Sequence, residues 1–201
     1  MTLLRVVSGD AGPVLRTDRV FMRPPSVADY PAWAELRAAS RAFLEPWEPR
    51  WPEDDLTRAA FKRRIKRYHR EIREDLSYPF FLFRAEDGAL LGGATLSNVR
   101  RGVSMSCSLG YWMGECHAGR GFMGEAVASL VRHAFRELRL HRIEAASMPH
   151  NQRSIRLLEK AGFQREGFAR RYLLIDSRWA DHLLFAILRE DVEAALQPLR
   201  G

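Results

Sequence analysis

Residues 117–126 read HAGRGFMGEA. Gly119, Gly121 and Gly124 fall within six positions, Arg120 sits among them, and a helix-forming stretch follows at once. The start of a helix leaves several backbone N–H groups without partners and carries partial positive charge. Glycines just ahead of it let the chain curl so that successive N–H groups aim at one point, a nest suited to phosphate or pyrophosphate. The stretch reads as an anion cradle; the competing reading is a tight strand-to-helix turn with no ligand. The pattern GxxxxGK[ST] is absent. GxGxxG does occur over 119–124, and Glu144 lies at the distance a dinucleotide fingerprint requires. The surrounding elements argue against a dinucleotide fold, as follows.

Upstream, the apolar pattern has a period of two. Residues 79–85 and 90–97 read as strands joined by a turn at Asp87-Gly88, and residues 105–113 as a third strand. An antiparallel meander therefore leads into the glycines, which is not the first crossover of a parallel sheet. Downstream, Val127, Leu130, Val131, Ala134, Phe135 and Leu138 recur at helical spacing, giving a helix over 125–138. A strand over 142–148 and a short helix over 154–161 ended by Gly162 come next. Residues 164–168, 172–175 and 182–188 read as closing strands.

At the other end, residues 13–23 read as a first strand, stopped by Pro24-Pro25. Ser26 is a candidate N-cap, with Asp29 three positions on, for a helix to about Ala39 on which Trp33, Leu36 and Arg37 share helical spacing. Residues 43–55, FLEPWEPRWPEDD, form a stiff aromatic loop, either a packed surface loop or one wall of a pocket. Residues 56–76 read as a long amphipathic helix: Phe61, Ile65, Tyr68, Ile72 and Leu76 on one side, Lys62, Arg63, Lys66, Arg67, Arg70 and Arg73 on the other. Antiparallel strands with one strand–helix–strand crossover make the chain α+β, with a mostly antiparallel mixed central sheet.

The 201 residues suit one domain over 1–201, with 46% hydrophobic and 28% charged residues. No run long enough to span a membrane occurs, and no signal-peptide layout, so a cytoplasmic protein is expected. Cys107 and Cys116 form neither a disulfide framework nor a metal-ligand pattern, so no metal is expected. The formal net charge is +7, and lysine occurs only at 62, 66 and 160, so arginine carries nearly all of it. Such a surface suits an anionic partner: nucleic acid, a ribosome or a phosphate-bearing cofactor.

Three pieces, LGYWMGECHAGRGFMGEA (109–126), HRIEAASMPHNQRSIRLLEKAGF (141–163) and YLLIDSRWADHLL (172–184), resemble the GNAT superfamily of acetyl-CoA-dependent N-acetyltransferases. The likeness is narrower to ribosomal-protein-alanine acetyltransferases of the RimJ/RimL type, and runs from about Leu15 to Leu188. The resemblance implies the GNAT fold, with helices on both faces of the sheet and a splayed strand pair. It implies acetyl-CoA as donor, its pyrophosphate on the amides of Gly119, Arg120, Gly121, Phe122, Met123 and Gly124. The family's [QR]-x-x-G-x-[GA] falls on Ala118, Gly121 and Met123, of which only Gly121 matches strictly. The pantetheine arm is implied along Leu109, Gly110, Tyr111, Trp112 and Met113, opposite a strand over 143–148. Asn151 and Ser154 match the family's N-x-x-S: Asn151 at the pantetheine and Ser154 as acid to the departing thiolate, unless Ser154 serves only the helix start. Leu158 stands where many relatives carry a tyrosine acid.

Positions where relatives carry a glutamate base hold Ala146 and Leu173. Glu48, Glu115, Glu144 and Asp176 remain as weak candidates, and a water chain suffices for an N-terminal amine whose pKa is about 8. Trp47, Glu48, Trp51, Tyr172 and Trp179 are expected to line the acceptor groove. The expected reaction is direct acetyl transfer to the N-terminal amine, alanine first, of a ribosomal protein, with helix 56–76 as a contact to ribosome or rRNA. A monomer or homodimer fits equally. Two other readings stay open: a small-molecule or aminoacyl acceptor, and an RNA-binding ribosome-assembly factor.

Overall fold

The computed structural model describes residues 12–196. Its centre is one eight-stranded sheet in the order β1-β2-β3-β4-β5-β6-β8-β7. The strands are β1 (Leu15–Arg16), β2 (Val20–Arg23), β3 (Tyr78–Arg84), β4 (Leu90–Arg100), β5 (Ser106–Met113), β6 (Arg142–Ser147), β7 (Gln164–Ile175) and β8 (Arg178–Leu188). All neighbours are antiparallel except β5 and β6, which are joined through a helix. The helices are α1 (Tyr30–Ala39), α2 (Arg41–Leu44), α3 (Arg58–Arg73), α4 (Phe122–Arg136), α5 (Gln152–Lys160) and α6 (Arg189–Leu196). The α+β class, the meander and the single crossover agree with the sequence reading.

Strand alternation divides the apolar residues between two faces. On one face Leu82, Leu96, Leu109 and Ile143 pack with Val127, Leu130 and Ala134 of α4 and with Ile155 and Leu158 of α5. On the other, Phe81, Phe83 and Leu90 pack with Trp33 and Leu36 of α1 and with Phe61 and Ile65 of α3. Each of these large side chains contributes about 1.5–3 kcal/mol when fully buried. Helices thus cover both faces.

Several boundaries differ from expectation. Residues 13–23 are two strands, because Thr17 turns the chain: its hydroxyl bonds the Val20 carbonyl at 3.1 Å and accepts from the Val20 amide at 3.0 Å. Ser26 opens a single 3-10 turn, Val27–Asp29, before α1 begins with Pro31 in its first turn. The Asp29 carboxylate accepts from the Ser26 amide and also pairs with Arg23. The basic helix is shorter at both ends, Thr57 capping it through the Ala60 amide at 3.2 Å. Its charge is partly answered by Arg63–Asp54, Arg64–Asp55, Arg67–Glu71 and Arg70–Glu74 pairs. Helix α4 starts at Phe122, three residues earlier than its apolar pattern. The first two closing strands are one strand, β7, broken by a bulge between Ala169 and Leu173.

His133 of α4 is buried, both ring nitrogens lack hydrogen-bond partners among the described residues, and the ring meets Tyr78 and Phe80 edge-on at 6.4 and 6.0 Å. Burial holds this imidazole below its ordinary 6.5. The unfolded chain therefore binds a proton that the folded chain refuses, so stability is complete above pH 6.5 and falls as pH drops below it. Urea midpoints should decline from pH 7 to pH 5 in the wild type, and His133→Leu should shallow that decline. Equal slopes for the two proteins would show that His133 does not carry it.

Candidate active site

β5 and β6 pair only through Ser106, Cys107 and Ser108 opposite Arg142, Ile143 and Glu144. Beyond that point each strand keeps its outer partner: Leu109–Met113 stay on β4, and Ala145–Ser147 stay on β8. The inner edges of two adjacent strands therefore stand apart, with their backbone N–H and C=O groups unpaired toward each other. This is the splayed pair that the family resemblance implies. The chain leaves β5 into α4 and β6 into α5, so both helices begin just past the open ends. Ligands of open α/β sheets sit outside the carboxyl ends of parallel strands, where such helix starts converge.

At one lip stands the glycine loop. Gly119 and Gly121 have φ of 76° and 85°, the left-handed region that favours glycine. Gly121 is the N-cap of α4, and its carbonyl accepts from the Glu125 amide at 3.2 Å. A Cβ at Gly119 would meet nothing within 4 Å, so the space over the loop is open. Phe122 and Met123 bury their side chains in the core, which leaves their backbone to any ligand. Gly124 lies inside α4.

Sequence reasoning missed the brace under this loop. Arg19, in the β1–β2 turn, donates from Nη1 to the Arg120 carbonyl at 3.2 Å and from Nε to Glu125 at 2.5 Å. The Thr17 hydroxyl oxygen also lies 3.0 Å from Glu125 Oε2, an alternative acceptor for its one hydrogen. The Arg19 guanidinium lies over the Phe122 ring, 5.1 Å from its centroid. Nothing local announces these pairings, whose partners lie more than 100 positions apart.

At the other lip, Asn151 rather than Ser154 caps α5: its Oδ1 accepts from the Ser154 amide at 3.1 Å. The helix begins two residues earlier than expected, because Gln152 and Arg153 carry no apolar signal. Ser154 is thus freed from capping, and its Oγ lies 2.8 Å from the Tyr111 hydroxyl. Burial pushes the Tyr111 phenol up to about 12. Trp112 alternates to the opposite face, where it meets Phe81 and Arg37. Leu158, expected at the cofactor, has no exposed surface and belongs to the core with Ile155.

Among the residues expected to line the acceptor groove, the structure separates two kinds. Glu48 accepts from Arg37 Nη1 and Nη2, both at 2.7 Å, and from Trp51 Nε1 at 2.8 Å. Trp51 is buried, with Arg37 4.0 Å over its ring. Arg37 and Trp51 are buried, and the half-buried Glu48 carboxylate accepts all three of these hydrogen bonds. Trp47, by contrast, meets the His150 ring at 5.2 Å, beside Asn151. Tyr172 and Trp179 are exposed on the β7–β8 hairpin, and Tyr172 meets His182 edge-on at 5.9 Å. The Asp176 amide donates to the Glu48 carbonyl at 3.0 Å, tying the hairpin turn to the aromatic loop.

The residues fit acetyl-CoA. The loop offers backbone amides in an open left-handed turn, and the gap offers two strand edges unpaired toward each other. Ser147, at the open end of β6, is buried with a hydroxyl that finds no partner among the described residues. The Cys107 thiol is buried and pushed up to about 12 by that burial, so it is no nucleophile. No group of metal-ligating side chains occurs among the described residues, and no described helix is long and apolar enough to cross a membrane.

Comparison with known proteins agrees with this geometry. Residues 19–164 match the family model of the acetyltransferase (GNAT) domain. The [ribosomal protein uS5]-alanine N-acetyltransferase of Escherichia coli is 39% identical over 179 residues, covering 88% of this chain and 91% of that protein. Among solved structures, Mycobacterium smegmatis RimJ in complex with CoA-disulfide is similar with a TM-score of 0.82 and 33% identity, over 92% of this chain and 93% of that one. The ribosomal-protein-S5-alanine acetyltransferase of Vibrio fischeri gives a TM-score of 0.83 at 28% identity, over 89% and 97%. A parted strand pair, a left-handed glycine turn ahead of α4 and these likenesses lead to one conclusion: the chain belongs to the GNAT family of N-acetyltransferases, which take their acetyl group from acetyl-CoA.

Proposed function

We propose that the chain acetylates the N-terminal α-amine of a ribosomal protein, alanine in first position, by direct attack of the amine on the thioester. The observation that supports this acceptor is the 39% identity, over nearly the whole chain, to the Escherichia coli uS5-alanine acetyltransferase. The amides of Gly119 to Gly124 hold the pyrophosphate, and the open edge of Leu109–Met113 holds the pantetheine arm. A free strand amide there faces the thioester oxygen as it gains charge. Asn151 keeps α5 and the gap in register. Ser154 Oγ donates to the departing sulfur. With the Glu48 carboxylate committed to Arg37 and Trp51, water takes the amine proton. That assignment is reasonable because the amine, at pKa about 7.7–8.0, is partly neutral at pH 7. Trp47, Tyr172 and Trp179 flank the first residues of the acceptor. On α3, exposed Lys62, Lys66 and Arg73 are the proposed contact to ribosomal phosphate.

The test follows free thiol released from acetyl-CoA. Alanine-led peptides copying ribosomal-protein N-termini should drive release well above buffer. The same peptides blocked at the amine should not. Release driven by small amines and not by peptides would replace this acceptor with a small molecule. Release with neither, together with RNA binding lost on replacing Arg63, Arg67 and Arg70, would leave a ribosome-assembly factor.

A further inference from the structure

We infer that Tyr111 is a positioning residue for the reaction: its phenol donates to Ser154 Oγ and turns the remaining Ser154 hydrogen toward the departing sulfur. The inference rests on the acetyl transfer proposed above and adds to it a residue on β5 working through one on α5.

Three observations carry it. First, the contact spans the gap. Tyr111 stands on the unpaired stretch of β5 and Ser154 in the first turn of α5, yet their hydroxyl oxygens are 2.8 Å apart. Two hydroxyls at that separation share one hydrogen, so the other remains free for a third group. Second, the pair lies at the right depth. Ser108 is the last β5 residue level with β6, opposite Glu144. Three residues further along each strand come Tyr111 and Ser147, so the orphaned Ser147 hydroxyl ends the opposite strand at the same height. Alternation puts Tyr111 on the face of Cys107 and Leu109, and Ser147 on the face of Ile143 and Ala145, the face that α4 and α5 cover. Third, Ser154 is not needed elsewhere. Asn151 caps the helix, so the serine hydroxyl has no helix duty. Leu158 is core, so no tyrosine on α5 competes for the task.

The chemistry then balances. The amine nitrogen bonds to the carbonyl carbon and the carbon–sulfur bond breaks, its electron pair going to sulfur. Ser154 Oγ gives its proton to that sulfur, and the proton shed by the acylated amine, carried by water, returns to Ser154 Oγ. The Tyr111 phenol keeps its own proton and holds the serine oxygen through its hydrogen bond as that oxygen gains charge. Burial keeps Tyr111 protonated between turnovers, so a hydrogen always stands behind Ser154.

The experiment measures steady-state thiol release for wild type, Tyr111→Phe, Ser154→Ala and the double variant, with calorimetric titration of each by coenzyme A. Tyr111→Phe keeps the ring and removes only the hydroxyl. It should lower kcat about tenfold, a part of the 10²–10⁴ range of acid–base catalysis, with KM for acetyl-CoA within twofold. The double variant should be no slower than Ser154→Ala, because the two hydroxyls act as one unit. Ser154→Thr, which restores the hydroxyl, should recover most of the rate. Wild-type kcat in Tyr111→Phe, or losses that multiply in the double variant, would overturn the inference. So would a Tyr111→Phe loss confined to KM, since that marks a packing role. If instead the wild type takes up coenzyme A and transfers acetyl to no amine, the acetyl-transfer reading fails first, and this inference with it.

Discussion

Glu48→Ala should lower folding stability by about 3–5 kcal/mol, the cost of stranding a buried charge whose partner has been removed. The partner is Arg37, 8% exposed at its side chain, wedged between the rings of Trp51 and Trp112. Its Nε has no partner among the described residues, so the two bonds from Nη1 and Nη2 to Glu48 carry its hydrogen bonding. Trp51 Nε1 loses its acceptor in the same substitution. Urea unfolding would show the change as a lowered midpoint. Replacing both charges, with Arg37→Met and Glu48→Leu, should return much of the loss, because an apolar pair of similar size avoids the desolvation altogether. A Glu48→Ala midpoint within about 1 kcal/mol of wild type would mean that water reaches Arg37, and the cluster would be no anchor. The same cluster explains why Glu48 makes a poor general base. An acetyl-transfer rate per folded molecule that stays near wild type in Glu48→Gln would confirm it.

Gly121→Val should weaken binding of coenzyme A by roughly ten- to a hundredfold. At φ 85° a β-branched residue costs on the order of 1–3 kcal/mol. A Cβ there would also stand 3.0 Å from Arg19 Nη2. In the free protein the loop relaxes to another backbone conformation, and ligand binding must restore the strained one. The strain is thus charged to affinity, at about 1.4 kcal/mol per decade. Calorimetry reads the Kd directly, and thermal protection by coenzyme A should shrink in step. Affinity unchanged in Gly121→Val would remove the left-handed turn from the binding account. Gly124→Val is a poor substitute for this test, since Gly124 lies within α4 and any change there mixes helix propensity with ligand contact.

The parts of this site that local chemistry specifies were legible from sequence. The glycine run, the switch of apolar period from two to 3.6 at Gly121, and the Asn151-x-x-Ser154 spacing are short-range signals. They gave the fold class and the crossover. Element ends were read less well where a side chain, not a pattern, decides them. Thr17 folds one expected strand into two through its own hydroxyl, and Asn151 starts α5 where Gln152 and Arg153 show no apolar face. The bulge of β7 separates the expected strands 164–168 and 172–175, because Arg170 and Arg171 interrupt the alternation, with Arg171 at φ 47°. Helix α6 was not foreseen. Pairings between distant residues left no trace at all. Arg37 shares helical spacing with Trp33 and Leu36 in the sequence, but nothing near it names Glu48 as the group that lets an arginine be buried. Tyr111 was expected to offer only its backbone, and its hydroxyl contact with Ser154 emerges only once β5 and α5 are brought together.

The brace from Arg19 to the carbonyl of Arg120 and to Glu125 has a bearing on how the protein matures. Residues near the start of the chain must meet a loop synthesised some hundred residues later before that loop is held in shape, and contacts of such sequence separation are slow to form. If the loop seats coenzyme A as proposed, uptake of the coenzyme should report completed folding. In a refolding time course, recovery of ligand binding should trail recovery of helix signal, and shortening the chain past Arg19 should uncouple the two.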